Sequence, residues 1–294
     1  MHVSQKIGIF AIGKKNNFVI FMKRNIATIT LLIFCTTWLC TCCNGKNDTK
    51  QNTIDTLWLN NGDRKIFGEL YKPAKSSGIV IFSHGFNGTH RDGQKYYKLF
   101  GELGYQCFSF DFPCGSIHSK SDNNAYNMSV VDETSDLRAI ISYFKANGGD
   151  AADNIILIGE SQGGLVSSLT AAEQPADISK LILIFPAFCI PDNWNERYPN
   201  TSDIPDSTEI WGLKLGKRYF EQVRTIKPFE KMAQFKKPVL IIQGDKDPIV
   251  SMDDSRRACR TYPHSQLHVI LGAGHGFKSH EHKLSSNYIK EFLK

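Results

Sequence analysis

The main part of this sequence has almost no excess of charge, and its cysteines and histidines lack the spacing of a metal site. The formal net charge is +6, but five Lys and Arg residues precede residue 44 without any acidic residue, and subtracting these five leaves +1. No basic patch therefore remains for nucleic acid. The four cysteines after residue 50 are scattered, and His280 and His282 would point to different sides of a helix. We expect no metal site and no nucleic-acid partner.

The sequence also has little that could cross a membrane. The uncharged, largely apolar run at residues 26–38 is too short for a comfortable span. It follows Lys23 and Arg24, and this order is typical of an export signal. We therefore predict a leader over residues 1–43, and the stretch before Met22 leaves open whether Met1 or Met22 is the start.

The end of this leader resembles a bacterial lipoprotein signal. Residues 39–42 read L-C-T-C, with Leu three positions before the candidate acylated residue, Cys42. Residues 44–53 are mostly polar and are predicted to form a flexible tether. These features predict an exported, membrane-anchored lipoprotein in the periplasm or on the cell surface, with ordinary secretion as the alternative.

The cysteines after the leader could pair in an oxidising compartment, but sequence cannot define their connectivity. Cys107 lies inside a predicted strand, which favours a small buried residue over a disulfide. The pairing of these four residues is therefore left open: Cys107, Cys114, Cys189 and Cys259.

The hydropathy pattern predicts one α/β domain over residues 54–294. A hairpin at residues 57–71 opens it, and apolar strands then alternate with helices, which indicates a mainly parallel sheet with helices on both faces. Strands are predicted at residues 78–83, 106–111, 154–158, 181–185, 238–243 and 267–270. Helices are predicted at residues 96–103, 130–146, 165–172 and 253–261 and from residue 284, and residues 186–229 are predicted to be irregular.

The motif G-E-S-Q-G at residues 159–163 is the strongest functional signal in the chain. It follows the apolar run at residues 154–158 and precedes an Ala- and Leu-rich segment, so it predicts a strand, a sharp turn and a helix. In that setting Ser161 stands at the tip of a nucleophile elbow. A plain surface turn is the alternative, because short G-x-S-x-G matches arise by chance.

A nucleophilic serine requires a histidine base and a carboxylate that orients it, both later in the chain. The loop G-D-K-D-P-I-V at residues 244–250 offers Asp245 and Asp247. The loop G-A-G-H-G-F at residues 272–277 contains small residues that let an imidazole reach over the sheet edge. We therefore predict His275 as the base.

Acyl transfer also needs donors for a developing oxyanion. The loop S-H-G-F at residues 83–86 can supply the backbone N–H of Phe86, and the backbone N–H of Gln162 follows the nucleophile. Gly85 permits a close approach. His84 is interpreted as packing or hydrogen bonding beneath this loop and not as a second base.

Together these motifs resemble those of the α/β-hydrolases and, among them, the feruloyl/cinnamoyl esterases of the serine-aminopeptidase-like group. The resemblance runs from about residue 78 to the C-terminus and implies the α/β-hydrolase fold. It also implies that Asp247, the second aspartate of G-x-x-D-x-x-V, is the acid. The chain departs from these esterases at Glu160, where His is usual, and at residues 115–119, where G-S-I-H-S replaces G-H-G-x-S. Both departures are expected near the floor of the active site.

The long connection at residues 187–230 is predicted to be a lid over the acyl pocket, because insertions of this length in compact domains are usually functional. It is rich in aromatic residues, which can stack against a planar acyl ring, although most are interpreted as the core of the lid itself. By resemblance to the cinnamoyl-esterase lid, Asp192 and Tyr219 are predicted to bind substituents of that ring.

The resemblance implies a serine hydrolase that acts through an acyl-enzyme on hydroxycinnamoyl (feruloyl-type) or other aryl esters. A general short-acyl carboxylesterase or a peptidase of the same fold is an alternative, because one scaffold serves many substrates. A non-catalytic surface lipoprotein that binds a glycan or an ester is an alternative of another class. No metal or organic cofactor is expected, the substrate is a small-molecule or glycan-linked ester, and the membrane is contacted only through the lipid anchor.

Overall fold

The computed structural model describes residues 51–294. The predicted leader, Cys42 and the tether up to residue 50 lie outside the described residues. Between residues 51 and 294, no helix has both the length and the apolar character needed to span a bilayer.

Ten strands and nine α-helices are described within residues 51–294. The strands are β1 Thr53–Asn61, β2 Arg64–Lys72, β3 Ile79–Ser83, β4 Gln106–Phe110, β5 Ile155–Glu160, β6 Ile178–Ile184, β7 Ser207–Ile210, β8 Leu213–Gly216, β9 Val239–Gly244 and β10 Ser265–Ile270. The helices are α1 Arg91–Gln94, α2 Tyr97–Glu102, α3 Val130–Asn147, α4 Gln162–Glu173, α5 Ile190–Arg197, α6 Lys217–Val223, α7 Pro228–Met232, α8 Met252–Thr261 and α9 Ser279–Leu293.

Eight of these strands form one sheet in the order β1-β2-β4-β3-β5-β6-β9-β10. β1 and β2 form the predicted antiparallel hairpin, and β2 is antiparallel to β4. The remaining neighbours are parallel, as the alternation of strands and helices predicts. The carboxyl ends of β3, β5, β9 and β10 therefore meet at one edge of the sheet.

The two faces of the sheet are covered by separate apolar clusters, because successive side chains of a strand point to opposite faces. In β3, Ile79 and Ile81 belong to one cluster, whereas Val80 and Phe82 belong to the other. Residues of α3, α4 and α8 join the first cluster, and residues of α2 and α9 join the second. The prediction of helices on both faces is confirmed.

The segment between β6 and β9 differs from the irregular structure predicted for it. It contains α5, the two-stranded antiparallel sheet of β7 and β8, α6 and α7. The turn between β7 and β8 passes through Trp211 and Gly212, both with positive φ, and the short strands around it gave too little alternation to detect. Trp194 packs edge-on against Phe220, so part of the aromatic content does form a core within this segment.

The last helix also begins earlier than residue 284. The carboxylate of Glu281 accepts the backbone N–H of Lys278 at 2.5 Å, which satisfies one of the free donors at the start of α9. Ser279 is therefore the first helical residue.

Candidate active site

Ser161 lies at the turn between β5 and α4 with φ 52° and ψ −120°, a conformation that is strained for any residue with a side chain. The backbone around Ser161 is crowded. A Cβ atom on Gly163 would lie 2.2 Å from the carbonyl oxygen of Ser83, and one on Gly159 would lie 2.3 Å from that of Gly163. Only glycine fits at these two positions, and together they hold the strand, the turn and the helix in close contact.

The predicted serine, histidine and aspartate lie in one hydrogen-bonded row. Nε2 of His275 is 3.0 Å from Oγ of Ser161, and Nδ1 of His275 is 2.9 Å from Oδ2 of Asp247. These residues follow β5, β10 and β9, whose carboxyl ends share one edge of the sheet. The serine and the histidine are 114 positions apart in sequence, so only the fold joins them.

Asp247 is held in place on all sides. Its Oδ1 accepts the backbone N–H groups of Ile249 and Val250, each at 2.9 Å, and its Oδ2 also accepts Nε2 of Gln243 at 3.0 Å. Burial raises the pKa of Asp247, but the hydrogen bonds from His275 and the two backbone groups outweigh it, so the pKa lies below its ordinary value. The carboxylate therefore stays ionised beside the imidazole.

Sequence reasoning did not identify Gln243 as part of this site. Its side chain is fully buried at the end of β9, and its Oε1 accepts the hydroxyl of Ser255 at 2.9 Å. A polar residue in an otherwise apolar strand was the available signal, because a buried amide requires partners.

Asp245, the other aspartate of this loop, has a different contact. Its Oδ1 accepts the backbone N–H of Gly272 at 2.5 Å, which connects the acid loop to the start of the histidine loop. Asp245 therefore supports the loops, whereas Asp247 contacts the imidazole.

The two residues predicted to supply the oxyanion donors line the same cavity as Ser161. A Cβ atom on Gly85 would lie 3.1 Å from Cβ of Ser161, so the loop after β3 passes directly over the serine. Within residues 51–294, the backbone N–H groups of Phe86 and Gln162 donate to no protein acceptor. Both residues line the cavity beside Ser161.

His84 lies beneath this loop, as predicted. It is 1% exposed, its Nδ1 donates to the carbonyl oxygen of Gly85 at 2.8 Å, and its Nε2 accepts the backbone N–H of Phe112 at 3.0 Å. Burial lowers the pKa of His84, so the ring is neutral and both of its nitrogens are occupied. His84 has no free nitrogen with which to act as a base.

A cavity of about 400 Å³ opens beside Ser161. It is within the size range of small-molecule sites, and the segment between β6 and β9 supplies most of its wall. Its aromatic lining consists of Phe86, Trp194, Trp211 and Tyr219.

The structure places the two predicted ring-binding residues differently. Tyr219 lines the cavity and is 2% exposed, with its hydroxyl donated to Oε1 of Gln162 at 2.9 Å. Asp192 is exposed and does not line the cavity. Burial raises the pKa of Asp254, and the negative charge of Asp192 raises it further. The structure therefore brings Tyr219 to the site and leaves Asp192 outside it, because the turn of α5 points residue 192 away from the cavity.

The two departures from the esterase pattern also lie outside the cavity lining. Glu160 binds Nζ of Lys95 at 2.7 Å and the hydroxyl of Tyr96 at 2.6 Å, on the side of the sheet that α2 covers. Ser116 donates to Oδ1 of Asn87 at 2.9 Å and so supports the loop after β3. Both positions therefore lie beside the site without lining the cavity; the side chain of residue 160 faces away from it, because successive strand residues face opposite ways.

The four cysteines after the leader carry free thiols, and Cys107 is fully buried, as predicted for a small apolar residue. Cys189 lines the cavity. Burial, together with the charges of Asp254 and Asp247, raises the pKa of the Cys189 thiol to about 11. The thiol is therefore protonated at neutral pH and is a poor nucleophile.

Glu133 of α3 is a further polar residue at this site that the sequence did not reveal. It is 1% exposed, and both of its carboxyl oxygens accept Nε2 of Gln162, at 3.0 and 2.9 Å. The pKa of Glu133 is raised to about 8, mainly by burial. The negative charges of Asp136 and Asp132 also raise this pKa, whereas the hydrogen bond from Gln162 and the positive charge of Arg64 lower it.

We expect Glu133→Gln to reduce the pH dependence of stability between pH 5 and 9. The folded chain holds an extra proton between the ordinary pKa of 4.5 and the raised value of about 8, so the free energy of unfolding falls as pH rises through this interval. Titration of Glu133 lowers the free energy of unfolding by on the order of 4 kcal/mol at most over this interval. Urea unfolding of both proteins at pH 5.5 and 8.5 measures the difference, and an equal decline in the variant would contradict it.

Two known protein families match parts of this chain. The profile described as serine aminopeptidase, S33 matches residues 74–225, just over half of the 294 residues, and the α/β hydrolase fold profile matches residues 187–278. The chain belongs to the serine aminopeptidase (S33) family of α/β-hydrolases.

Individual relatives agree with this placement. A structure of Est1E from Butyrivibrio proteoclasticus with bound ferulic acid is 25% identical, with a TM-score of 0.73, over 81% of this chain and 98% of that one. A Mycoplasma genitalium protein named as a candidate esterase/lipase is 26% identical over 80% of this chain and 97% of its own length. Lipase 1 of Psychrobacter immobilis is 25% identical over 76% of this chain and 78% of its own length. This α/β-hydrolase is thus similar to esterase- and lipase-type members over most of its described length.

Proposed function

We propose that this α/β-hydrolase is a serine carboxylic-ester hydrolase that works through an acyl-enzyme. The observation that carries the proposal is the 3.0 Å contact between Oγ of Ser161 and Nε2 of His275, on an elbow that opens into the cavity. A hydroxyl becomes a useful nucleophile only when a base within hydrogen-bond reach can take its proton. Asp247 keeps the imidazole in the tautomer that leaves Nε2 free to do so.

In the acylation half-reaction, Oγ of Ser161 attacks the ester carbonyl carbon while its proton moves to Nε2 of His275. The carbonyl oxygen becomes negative and accepts the backbone N–H groups of Phe86 and Gln162. The bond to the alcohol oxygen then breaks, and His275 returns the proton to the departing alcohol.

In the deacylation half-reaction, water replaces the alcohol. The water oxygen attacks the carbonyl carbon of the acyl-enzyme while His275 takes a proton from the water. The backbone N–H groups of Phe86 and Gln162 again donate to the oxyanion. The bond to Oγ breaks, Ser161 regains its proton from His275, and the carboxylic acid leaves.

The substrates proposed are hydroxycinnamoyl (feruloyl-type) or other aryl esters. The aromatic lining of the cavity supports this class, because ring edges and faces contact a planar acyl group and exclude water from it. The similarity to Est1E, whose structure contains ferulic acid, supports it independently.

General short-acyl ester hydrolysis, or peptide hydrolysis on the same fold, is the second candidate. It is favoured by the names of the curated relatives, which refer to esterases and lipases, and by the family description, which adds aminopeptidases. One scaffold can serve all of these substrates, so the acyl group must be determined by measurement.

A panel of 4-nitrophenyl acetate, hexanoate, p-coumarate and ferulate, with an aminoacyl anilide, tests both candidates. We expect Trp211→Ala to lower kcat/KM several-fold for ferulate, since an aromatic pair is worth about 0.5–1.5 kcal/mol, and hardly at all for acetate. Trp211 lines the cavity and is 70% exposed, so its removal disturbs little of the core. Trp58→Ala is the matched control, because Trp58 is 55% exposed on β1 and does not line the cavity. Equal losses on acetate and ferulate would contradict the aryl-ester proposal.

We also propose that the chain is exported and anchored by a lipid on Cys42. The basic start, the short apolar run and L-C-T-C at residues 39–42 support this location. In a bacterial host, the wild type should fractionate with membranes, and Cys42→Ser should release it or stop its processing. Cys43→Ser is the neighbouring control, and unchanged membrane partition of the Cys42 variant would contradict the assignment.

A further inference from the structure

A buried polar chain joins the cavity-lining helix α6 to the first residue of α4. Glu133 of α3 accepts both hydrogen bonds described above from the side-chain amide of Gln162, and Tyr219 of α6 donates its hydroxyl to the Oε1 atom of that amide. All three residues are at most 2% exposed. We call this arrangement the Gln162 clamp, because it holds one side-chain amide from both ends.

The hydrogen bonding of Glu133 is directed at Gln162. Within residues 51–294, the Glu133 carboxyl has no salt bridge, whereas the nearby Arg64 pairs with Asp136 at 2.6 Å. Asp132 and Asp136 lie on the same helix and disfavour a further negative charge. A buried carboxyl in such surroundings is costly, and an apolar residue of similar size would often be at least as stable. Groups that break local rules of stability in this way are expected at functional sites.

Gln162 also supplies the backbone N–H next to the nucleophile. This N–H belongs to the first turn of α4, where helical donors lack intrahelical partners and the helix dipole favours negative charge. Stabilisation of an oxyanion requires the donor to lie about 2.7–3.1 Å from the developing charge. Restriction of the Gln162 side chain at both ends of its amide limits movement of the attached backbone.

We propose that Glu133 and Tyr219 are positioning residues that hold the Gln162 backbone N–H against the oxyanion of the acyl-transfer transition state. The inference rests on the proposed function. It assigns Tyr219 a role through Gln162, in place of the direct contact with the acyl ring that family resemblance implies.

Steady-state kinetics on 4-nitrophenyl acetate and 4-nitrophenyl ferulate test this assignment, with kcat expressed per active site titrated by a fluorophosphonate. Glu133→Ala should lower kcat about 10- to 100-fold on both esters, less than the 10²–10³ lost when an oxyanion donor is removed outright. KM should change by less than about threefold, because the hydrogen bond to the oxyanion is made in the transition state and not in the bound ester. Tyr219→Phe should also lower kcat on both esters.

Conservative replacement and coupling separate positioning from a purely structural role. Glu133→Gln keeps an oxygen that can accept from Gln162 and should retain kcat within about threefold of the wild type. The double variant Glu133→Ala/Tyr219→Phe should lose less than the product of the two single losses, because both act through Gln162. Glu173→Ala is the matched control: it removes a carboxylate from the far end of α4, where Glu173 pairs with Arg138 and Lys231 at the surface.

The possible failures can be told apart. A wild-type protein that the fluorophosphonate does not label would overturn the proposed function and this inference with it. If the wild type is labelled and active but Glu133→Ala has a normal kcat per titrated site, the inference alone is overturned. Any loss of total activity would then come from a smaller number of folded molecules. Selective loss of ferulate turnover in Tyr219→Phe would also overturn it and assign Tyr219 to the ring. If Glu133→Ala does not fold, Tyr219→Phe and Glu133→Gln still decide the question.

Discussion

Ser161→Ala should remove all labelling by a fluorophosphonate and should reduce ester hydrolysis to a small residue. The variant keeps the oxyanion donors and the cavity but has no oxygen to form the acyl-enzyme. In serine hydrolases such variants retain only about 10³–10⁴-fold acceleration over water. Labelling on a gel and initial rates on 4-nitrophenyl acetate measure both effects, and near-normal turnover would rule out Ser161 as the nucleophile.

The chain offers a matched serine for this experiment. Ser167 lies on α4, the helix that begins directly after Ser161. Within the described part of the chain, its buried hydroxyl has no hydrogen-bond partner. Ser167→Ala should therefore leave labelling and turnover unchanged. Thermal unfolding of the Ser161 variant should resemble that of the wild type, because alanine at residue 161 experiences the same backbone strain as serine.

Asp247→Asn should lower kcat by about 10⁴-fold, the loss found when a triad aspartate is replaced by its amide. In the wild type, Oδ1 of Asp247 accepts two backbone N–H groups and Oδ2 accepts His275 and Gln243. An asparagine that keeps its oxygen toward the two backbone groups turns its NH₂ toward Nδ1 of His275. The imidazole then carries its proton on Nε2, where it cannot take the proton of Ser161.

Asp245→Asn is the control for this replacement, because the two aspartates share one loop and differ in what they contact. The amide oxygen of asparagine can still accept the N–H of Gly272, so the variant should keep most of its activity. Measurement of kcat and KM for both variants on one ester gives the ranking. If Asp245→Asn were the more damaging change, Asp245 would be the acid.

The parts of this protein that could be predicted from its sequence are those encoded by local pattern. Apolar runs of four to six residues, broken by turn residues and helical segments, indicated a parallel sheet. The G-E-S-Q-G motif after an apolar run indicated a sharp turn before a helix. The order of the serine, the aspartates and His275 then followed the order of the strands, and the carboxyl ends of parallel strands meet at one edge. Fold and candidate nucleophile therefore came from short-range information.

The cavity wall was less accessible to such reasoning. Strands of four residues, as in β7 and β8, show too few alternations for a period to be detected. Asp192 was selected by resemblance, but the direction of a side chain on α5 depends on how that helix docks. The structure leaves residue 192 exposed and places Asn193 and Trp194 in the cavity lining.

The sequence by itself determined the sheet, the elbow at Ser161 and the candidate partners His275 and one of Asp245 and Asp247, because each depends on residue types at fixed local spacing. Only the tertiary structure decided between Asp247 and Asp245, because it shows which of them contacts His275. It also places the buried Gln243 against Asp247, and it brings Glu133, Gln162 and Tyr219 together. Residues 29 and 57 positions apart meet in that last group. Periodicity predicts which face of an element is buried, but the packing of whole helices decides which side chains on those faces touch.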